Sequence, residues 1–343
     1  MKRIILLTAM ILIAVIGTGC SSKSNVNKST STTPQNKSAL HTMYVVGDIK
    51  DFDDKLAPLA KDIVKSDPNA SWWLLGDSGY GEGKEVTDNY EEIAAVIPYE
   101  SLHMVYGDHD YGTQNPKNFT EQNLENIGAS RILNAQENFV YAVDSQKNLQ
   151  EVLTPTDQSS EKLAWTITGT NDICVETAKI ENTGCNNKRY DLFKSSLKEN
   201  KKVSDCSIAM WHHPIYGVMK DGGNDQVGSS QYGTPLFESS IENGVDIVLN
   251  GDHHHFLATK NIDENGKLVS GNSTNAFTRE FIVGTGGAPI SADNKTPKLD
   301  KNAVDSDIRN QIGVLKIVLF EGRAELSFIT VKGTQYSTEV TCK

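Results

Sequence analysis

Residues 71–80 read Ser71-Trp72-Trp73-Leu74-Leu75-Gly76-Asp77-Ser78-Gly79-Tyr80, a mostly apolar run of strand length that passes straight into a glycine and an acid. The pattern recurs along the chain. Thr42–Val46 leads into Gly47-Asp48, Leu102–Tyr106 into Gly107-Asp108-His109-Asp110, and Ser207–Trp211 into His212-His213-Pro214. Asp246–Leu249 ends one residue before Gly251-Asp252-His253-His254-His255. Short apolar runs bounded by turn residues read as buried strands. Open α/β sheets gather ligands beyond the carboxyl ends of their strands, so polar clusters in series at those ends point to one shared site. Glycine before each acid is expected to let the backbone turn sharply there.

Helical stretches are expected at Asp53–Lys65, Glu85–Val96, Arg189–Asn200 and Pro235–Asn243. Further strands are expected at Phe139–Val143, Leu163–Thr168, Phe281–Val283, Gly313–Leu319 and Ala324–Thr330. The chain begins as β-α-β units and ends rich in β, which predicts an α/β fold in which helices cover two packed mixed sheets. No repeat or Pro-rich linker divides residues 41–343, so they read as one domain.

The 343 residues include 44 Asp and Glu against 33 Lys and Arg, a formal charge of −11, with 38% hydrophobic and 22% charged residues. This composition fits a globular protein with a buried core. It excludes a multi-pass membrane protein, a disordered chain and a nucleic-acid binder working through a basic patch. Lys2, Arg3, Lys23, Lys28 and Lys37 fall in the first 40 residues, which hold no acid, so residues 41–343 carry 28 basic and 44 acidic residues, a balance of −16.

Lys2-Arg3, the apolar run Ile4–Ile16 broken by Thr8, and Gly17-Thr18-Gly19 before Cys20 have the anatomy of a signal peptide over residues 1–20. The 13-residue run is shorter than the roughly 20 residues that a membrane span needs. Small residues directly before Cys20 resemble a bacterial lipobox, with Gly17 departing from the branched aliphatic residue usual there. That resemblance implies an exported lipoprotein, held at the membrane by lipid on Cys20; an ordinary secretory signal is the alternative. Residues 21–40 are rich in Ser, Thr, Asn and Lys and read as a flexible linker. Cys174, Cys185, Cys206 and Cys342 remain, and export favours disulfides. One arrangement pairs Cys174 with Cys185 and Cys206 with Cys342. A metal site is the competing reading, although no spacing is of the C-x-x-C type.

Taken singly, each polar cluster is weak evidence, because Gly-Asp is a common turn dipeptide and a His tract is equally readable as surface loop. Five in series, each behind an apolar strand, form the carboxylate and imidazole set that suits hard and borderline metal ions. So many acids would repel one another unless a cation neutralised them. The ligands are too numerous for one ion, which points to a binuclear site.

In the order of these motifs, over about Met43 to Thr334, the chain resembles the calcineurin-like metallophosphoesterases, and within them the purple acid phosphatase branch. Tyr80 stands three residues after Asp77 as in that branch, Lys50 occupies a position where the branch lacks a His, and Gly284-Thr285-Gly286-Gly287 fits the late glycine-rich stretch. The resemblance implies a four-layer α-β-β-α sandwich with two mixed sheets. It implies that Asp48, Asp77, Tyr80 and His254 bind a first metal, iron by virtue of the Tyr, with Asp77 bridging. Asp108, His212 and Asp252 would complete a second site for Fe, Mn, Zn or Mg. His109 would donate a proton to the leaving oxygen of a phosphoester substrate, held by Asp110.

Two positions depart from the family pattern: Asp108 replaces the usual Asn, and Asp252 replaces the first His of the last motif. Using His253 and His255 instead would require a one-residue insertion, whereas Phe256 sits where the ungapped motif expects an aromatic. The expected activity is phosphomonoester hydrolysis. The alternatives are a phosphodiesterase or nucleotidase on the same site, and a non-catalytic metal-binding surface lipoprotein. Oligomeric state is not legible in the sequence.

Overall fold

The computed structural model describes residues 38–80, 84–107, 109–110, 138–152, 163–171, 187–216, 233–267, 269, 276–289 and 304–342. The expected signal segment, Cys20 and all but the end of the linker lie outside the described residues, as do Asp108, Cys174 and Cys185.

In the first sheet β1 (His41–Val46), β2 (Ser71–Leu75) and β3 (Leu102–Val105) lie parallel. From the other side of β1, β13 (Gly313–Phe320), β14 (Arg323–Thr330) and β15 (Gly333–Thr341) extend it antiparallel, in the order β15-β14-β13-β1-β2-β3. The second sheet contains β4 (Asn138–Val143), β5 (Leu149–Glu151), β6 (Leu163–Thr170), β7 (Ser204–Met210), β8 (Ile247–Asn250), β9 (Phe256–Thr259), β11 (Ala276–Val283) and β12 (Val304–Ile308). Its order is β12-β9-β11-β8-β7-β6-β4-β5, with β10 (Ile262–Asp263) paired to β11. Within it β6, β7, β8 and β11 are parallel neighbours, so both sheets are mixed.

Strand periodicity sorts each apolar run into two layers. Met43 and Val45 of β1, with Trp73 and Leu75 of β2, meet Trp165, Ile208, Met210 and Leu249 between the sheets. Tyr44, Val46, Trp72 and Leu74 face outward against α1 (Phe52–Lys55), α2 (Ala57–Ser66) and α3 (Lys84–Val96). Across the molecule Ala209, Trp211 and Val248 face α4 (Asn187–Val203) and α5 (Thr234–Glu242). This is the α-β-β-α arrangement. Trp72, Trp73 and Trp211 are buried core residues. No helix among the described residues is long and apolar enough to cross a membrane.

The expected single helix over Asp53–Lys65 is divided, because Pro58 has no amide hydrogen and restarts the chain as a second helix from its first turn. Tyr106 and Trp211, expected at strand ends, already belong to the loops that follow β3 and β7.

Cys206 in β7 and Cys342 just beyond β15 form a disulfide, so one covalent bond ties the second sheet to the edge of the first. It resolves that pair against the metal reading. The residues lie 136 apart in sequence, and a closed loop of that size restricts the unfolded chain strongly. Replacing Cys342 by Ser should lower the unfolding free energy by about 2–5 kcal/mol, measured by denaturant titration.

Candidate metal centre

Parallel pairing of β1 with β2 and of β7 with β8 brings the carboxyl ends of these strands to one edge of the sandwich. Asp48, Asp77 and Asp252 stand there at φ 59°, 53° and 63°, the left-handed region that costs a residue with a side chain about 1–3 kcal/mol. The sequence assigned these turns to the preceding glycines; Gly76 does take positive φ, at 88°, beside Asp77, but Gly47 and Gly251 do not, and there the acids make the turn themselves. Gly251 serves close approach instead. A Cβ on it would stand 2.7 Å from the Leu75 carbonyl oxygen and 2.9 Å from Asp48 Oδ2.

Ligand atoms of Asp48, Asp77 and His212 lie within 4.8 Å of one another, and all three residues are buried. His212 Nδ1 is 2.7 Å from the Leu75 carbonyl oxygen. A carbonyl only accepts, so Nδ1 carries the hydrogen and Nε2 faces Asp77 Oδ1 at 3.4 Å. His254 is oriented in the same way, with Nδ1 2.6 Å from the Pro289 carbonyl oxygen. Its Nε2 lies 2.8 Å from the Tyr80 hydroxyl and 3.4 Å from Asp48 Oδ1, and the Tyr80 hydroxyl donates to Asp48 Oδ1 at 2.9 Å. Asp48, Tyr80 and His254 therefore form a second close group that shares Asp48 with the first. Imidazoles fixed through Nδ1 to a carbonyl are how proteins aim a metal-binding nitrogen.

The electrostatics suit a cation. Asp48 Oδ2 is buried with no hydrogen-bond partner among the described residues, an expensive state for an anionic oxygen unless positive charge meets it. Burial, then the charges of Asp48 and Asp77, push the Tyr80 phenol well above its ordinary pKa. Burial disfavours charge on His254, but its hydrogen bond to Asp48 and that carboxylate's charge overcome this and push the imidazole up to about 9. In the protein alone the ring holds a proton at Nε2, the place a metal ion would take. Carboxylates, imidazoles and a phenol are a donor set that such an ion fits.

Asp252 stands at the rim, Oδ1 4.0 Å from His212 Nε2. His109 donates its backbone N–H to Asp77 Oδ1 at 2.9 Å, and its ring lies 4.6 Å from that of Tyr80 with Nε2 3.9 Å from Asp77 Oδ2. Its side chain is 44% exposed, unlike the buried Asp77 and His212 beneath it. Expected to hold the His109 ring, Asp110 instead turns its carboxylate into the protein. There it accepts from the backbone N–H groups of Asp77 at 2.7 Å, Ser78 at 2.9 Å and Gly107 at 2.9 Å, and from the Tyr90 hydroxyl at 2.7 Å. Burial, then the charge of Asp77, push Asp110 up to about 7. His253 and His255 are buried and stack on each other at 6.0 Å, while His254 faces Asp48.

Two supports were not legible as site residues. Asn89 of α3 donates to the Ile49 carbonyl at 3.0 Å and the Ser78 carbonyl at 2.6 Å, and accepts from the Phe52 amide at 3.1 Å, bracing two of the turns. Glu280 of β11 is fully buried and accepts from the amides of Ile215 at 2.9 Å and Tyr216 at 3.0 Å, fixing the loop that follows His212. In sequence Glu280 stands beside Arg279, directly before the apolar run Phe281–Val283, and no local signal marks it as a support of the site.

Residues 41–256 match the sequence profile described as calcineurin-like phosphoesterase. Comparison with curated proteins finds no match. Among solved structures the chain is similar to GAP50, the anchor in the inner membrane complex of Plasmodium, with a TM-score of 0.58 and 15% identity over 88% of this chain and 89% of that one. It is also similar to a purple acid phosphatase from yellow lupin (Lupinus luteus) seeds, with a TM-score of 0.55 and 15% identity over 90% of this chain and 55% of that one. PhoD follows with a TM-score of 0.52 and 11% identity over 90% of this chain and 70% of that one. At these identities the likeness is one of fold.

Glu280 gives the site's surroundings a pH dependence. Burial pushes its carboxyl from 4.5 up to about 7. A raised acid binds more protons folded than unfolded, so its stabilising contribution is full below about 4.5, falls as pH rises, and is gone above about 7. The unfolding free energy of the wild type minus that of Glu280→Gln should therefore decrease by up to about 3 kcal/mol between pH 4 and pH 8, read from urea titrations at each pH.

Proposed function

Because the chain belongs to the calcineurin-like phosphoesterase family, we propose that it hydrolyses phosphomonoesters, as an acid phosphatase does, at a centre holding two metal ions. The observation that carries this reading is the convergence of Asp48, Asp77, Tyr80, His212 and His254 from both sheets on one patch, with His109 exposed beside it. Asp48, Tyr80 and His254 would hold the first ion, Asp77 would bridge, and His212 and Asp252 would serve the second together with Asp108. Two such ions, when bound, polarise a phosphoryl group and acidify a water molecule.

The chain's own residues supply the rest. His109 is anchored through its backbone to Asp77 and leaves its ring accessible, which suits it to give a proton to the leaving oxygen. Asp110 serves beneath the site by holding the backbone that carries Asp77 and His109. Tyr80 as a ligand favours ferric iron at the first position, with a visible tyrosinate absorption band. The carboxylates at the second suit Fe, Mn or Mg, with Zn also accommodated. The signal anatomy of residues 1–20 supports export and anchoring through Cys20, with the folded domain acting on phosphoesters outside the cell.

Asp252 favours a second reading as well. An anionic side chain where the family has a neutral one weakens the attraction for phosphate, and supports a surface protein that keeps a metal without turnover.

Hydrolysis of para-nitrophenyl phosphate and of its bis-ester, with Mn²⁺, Fe and Zn²⁺ supplied in turn, tests these readings. Preference for the mono-ester is expected. Preference for the bis-ester would make the protein a phosphodiesterase, and no turnover by metal-loaded protein would leave the second reading. His109→Ala should lower kcat by about 10²–10⁴-fold with metal content unchanged, whereas Asp77→Asn should remove both activity and bound metal.

A further inference from the structure

Three consecutive histidines point two ways. His254 turns to Asp48 and Tyr80, while the rings of His253 and His255 stack on the opposite side at 6.0 Å and 14°. Asp252, just ahead of them, has Oδ1 3.9 Å from His213 Nε2 and 4.0 Å from His212 Nε2, and Oδ2 3.3 Å from His253 Nε2. Its two oxygens thus have different neighbours, one toward the ligand His212 and one toward a residue with no assigned part in the site.

We infer that His253 is a positioning residue, whose Nε2–H holds Asp252 Oδ2 so that Oδ1 is presented beside His212 as a metal ligand. The inference rests on the two-ion reading above. His253 is 6% exposed, and its Nδ1 is buried with no hydrogen-bond partner among the described residues. A bare buried nitrogen costs less than a buried N–H with no acceptor, so the ring's hydrogen belongs on Nε2, the atom facing the carboxylate.

The ring is also kept from swinging away. Its backbone N–H donates to the Gly251 carbonyl at 2.7 Å, and its face rests on His255. His255 in turn lies 3.7 Å from Asp307, which accepts from Arg309 Nε at 3.0 Å. A carboxylate where the family has an imidazole gains a second oxygen and a freer terminal torsion. A buried imidazole behind it removes that freedom, as outer hydrogen-bond partners do for metal ligands in general.

The test is equilibrium dialysis of full-length protein against Mn²⁺, with metal-free thermal unfolding run on each variant. Wild type should hold two ions. His253→Phe keeps the stacked shape and removes Nε2, and should bind the first ion as wild type does and the second about 10–100-fold more weakly. His253→Gln, whose amide N–H reaches the place of Nε2, should restore the second ion to within about threefold of wild type, while His253→Asn, whose amide falls short, should side with Phe. These differences should appear among variants whose metal-free melting temperatures agree, which a merely structural role would not produce. Two ions bound equally well by His253→Phe, or a Gln variant as weak as Phe, would overturn the inference and leave the two-ion reading standing. Wild type holding fewer than two ions would overturn that reading and this inference with it. Should the Phe variant fail to fold, the contrast between Gln and Asn decides.

Discussion

The carboxylate of Asp110, buried behind the site, accepts hydrogen bonds from the backbone of the turn after β2, from the backbone of the turn after β3 and from a tyrosine of α3. These turns leave three amides pointing inward with no strand to receive them, and buried amides demand acceptors. One charged side chain satisfies all three, and in doing so sets the spacing between Asp77 and His109. The bond from His212 Nδ1 to the Leu75 carbonyl performs the equivalent task across the gap between the sheets. The Pro289 carbonyl beside His254, and Asn89 and Glu280 behind the loops, add further attachments of the same kind.

The charge balance takes on a different meaning at this edge of the molecule. Asp48, Asp77 and Asp110 are all but fully buried within one small volume, and two of them hold backbone angles that residues with side chains rarely adopt. Strained backbone and buried like charges both oppose folding, so their coexistence in one place is the mark of a site shaped for something other than stability. The directions of the shifts at Tyr80, His254 and Asp110 agree, since each group is pushed toward holding a proton. Protons stand in for the positive charge that the arrangement is built to receive. Most of the remaining acidic excess is ordinary solvated surface.

Much of this was legible beforehand because strand-to-turn transitions are written in local chemistry. The apolar runs ending at Val46, Leu75 and Leu249 announced both the parallel strands and the edge where their ends gather. Strands with polar sequences were not legible. The segment Val304–Ile308 at the sheet's margin sets Asp305, Ser306 and Asp307 between its two apolar residues, and Gly333–Thr341 is an exposed edge strand of mixed polarity, stabilised by its neighbour rather than by an apolar pattern. The local residues around Asp110 placed it beside His109, but its orientation depends also on the amides of Asp77 and Ser78, far away in sequence. The same holds for Glu280 and Asn89, whose roles depend on which distant loop the tertiary fold delivers to them.

The strand that carries Asp48 has a further consequence, for the order of events as the chain acquires its structure. On one side β1 pairs with β2, close by in sequence, but on the other Tyr44 pairs with Lys316 near the far end of the chain. Until residues 313–320 are available, β1 is an apolar strand with an open edge, the kind of surface that recruits the wrong partner. Pairings across such distances form slowly, because the intervening chain must first be brought to order. Asp48, the first of the candidate site residues in the sequence, is therefore among the last to be secured in space. The site closes only when the end of the chain returns to its beginning.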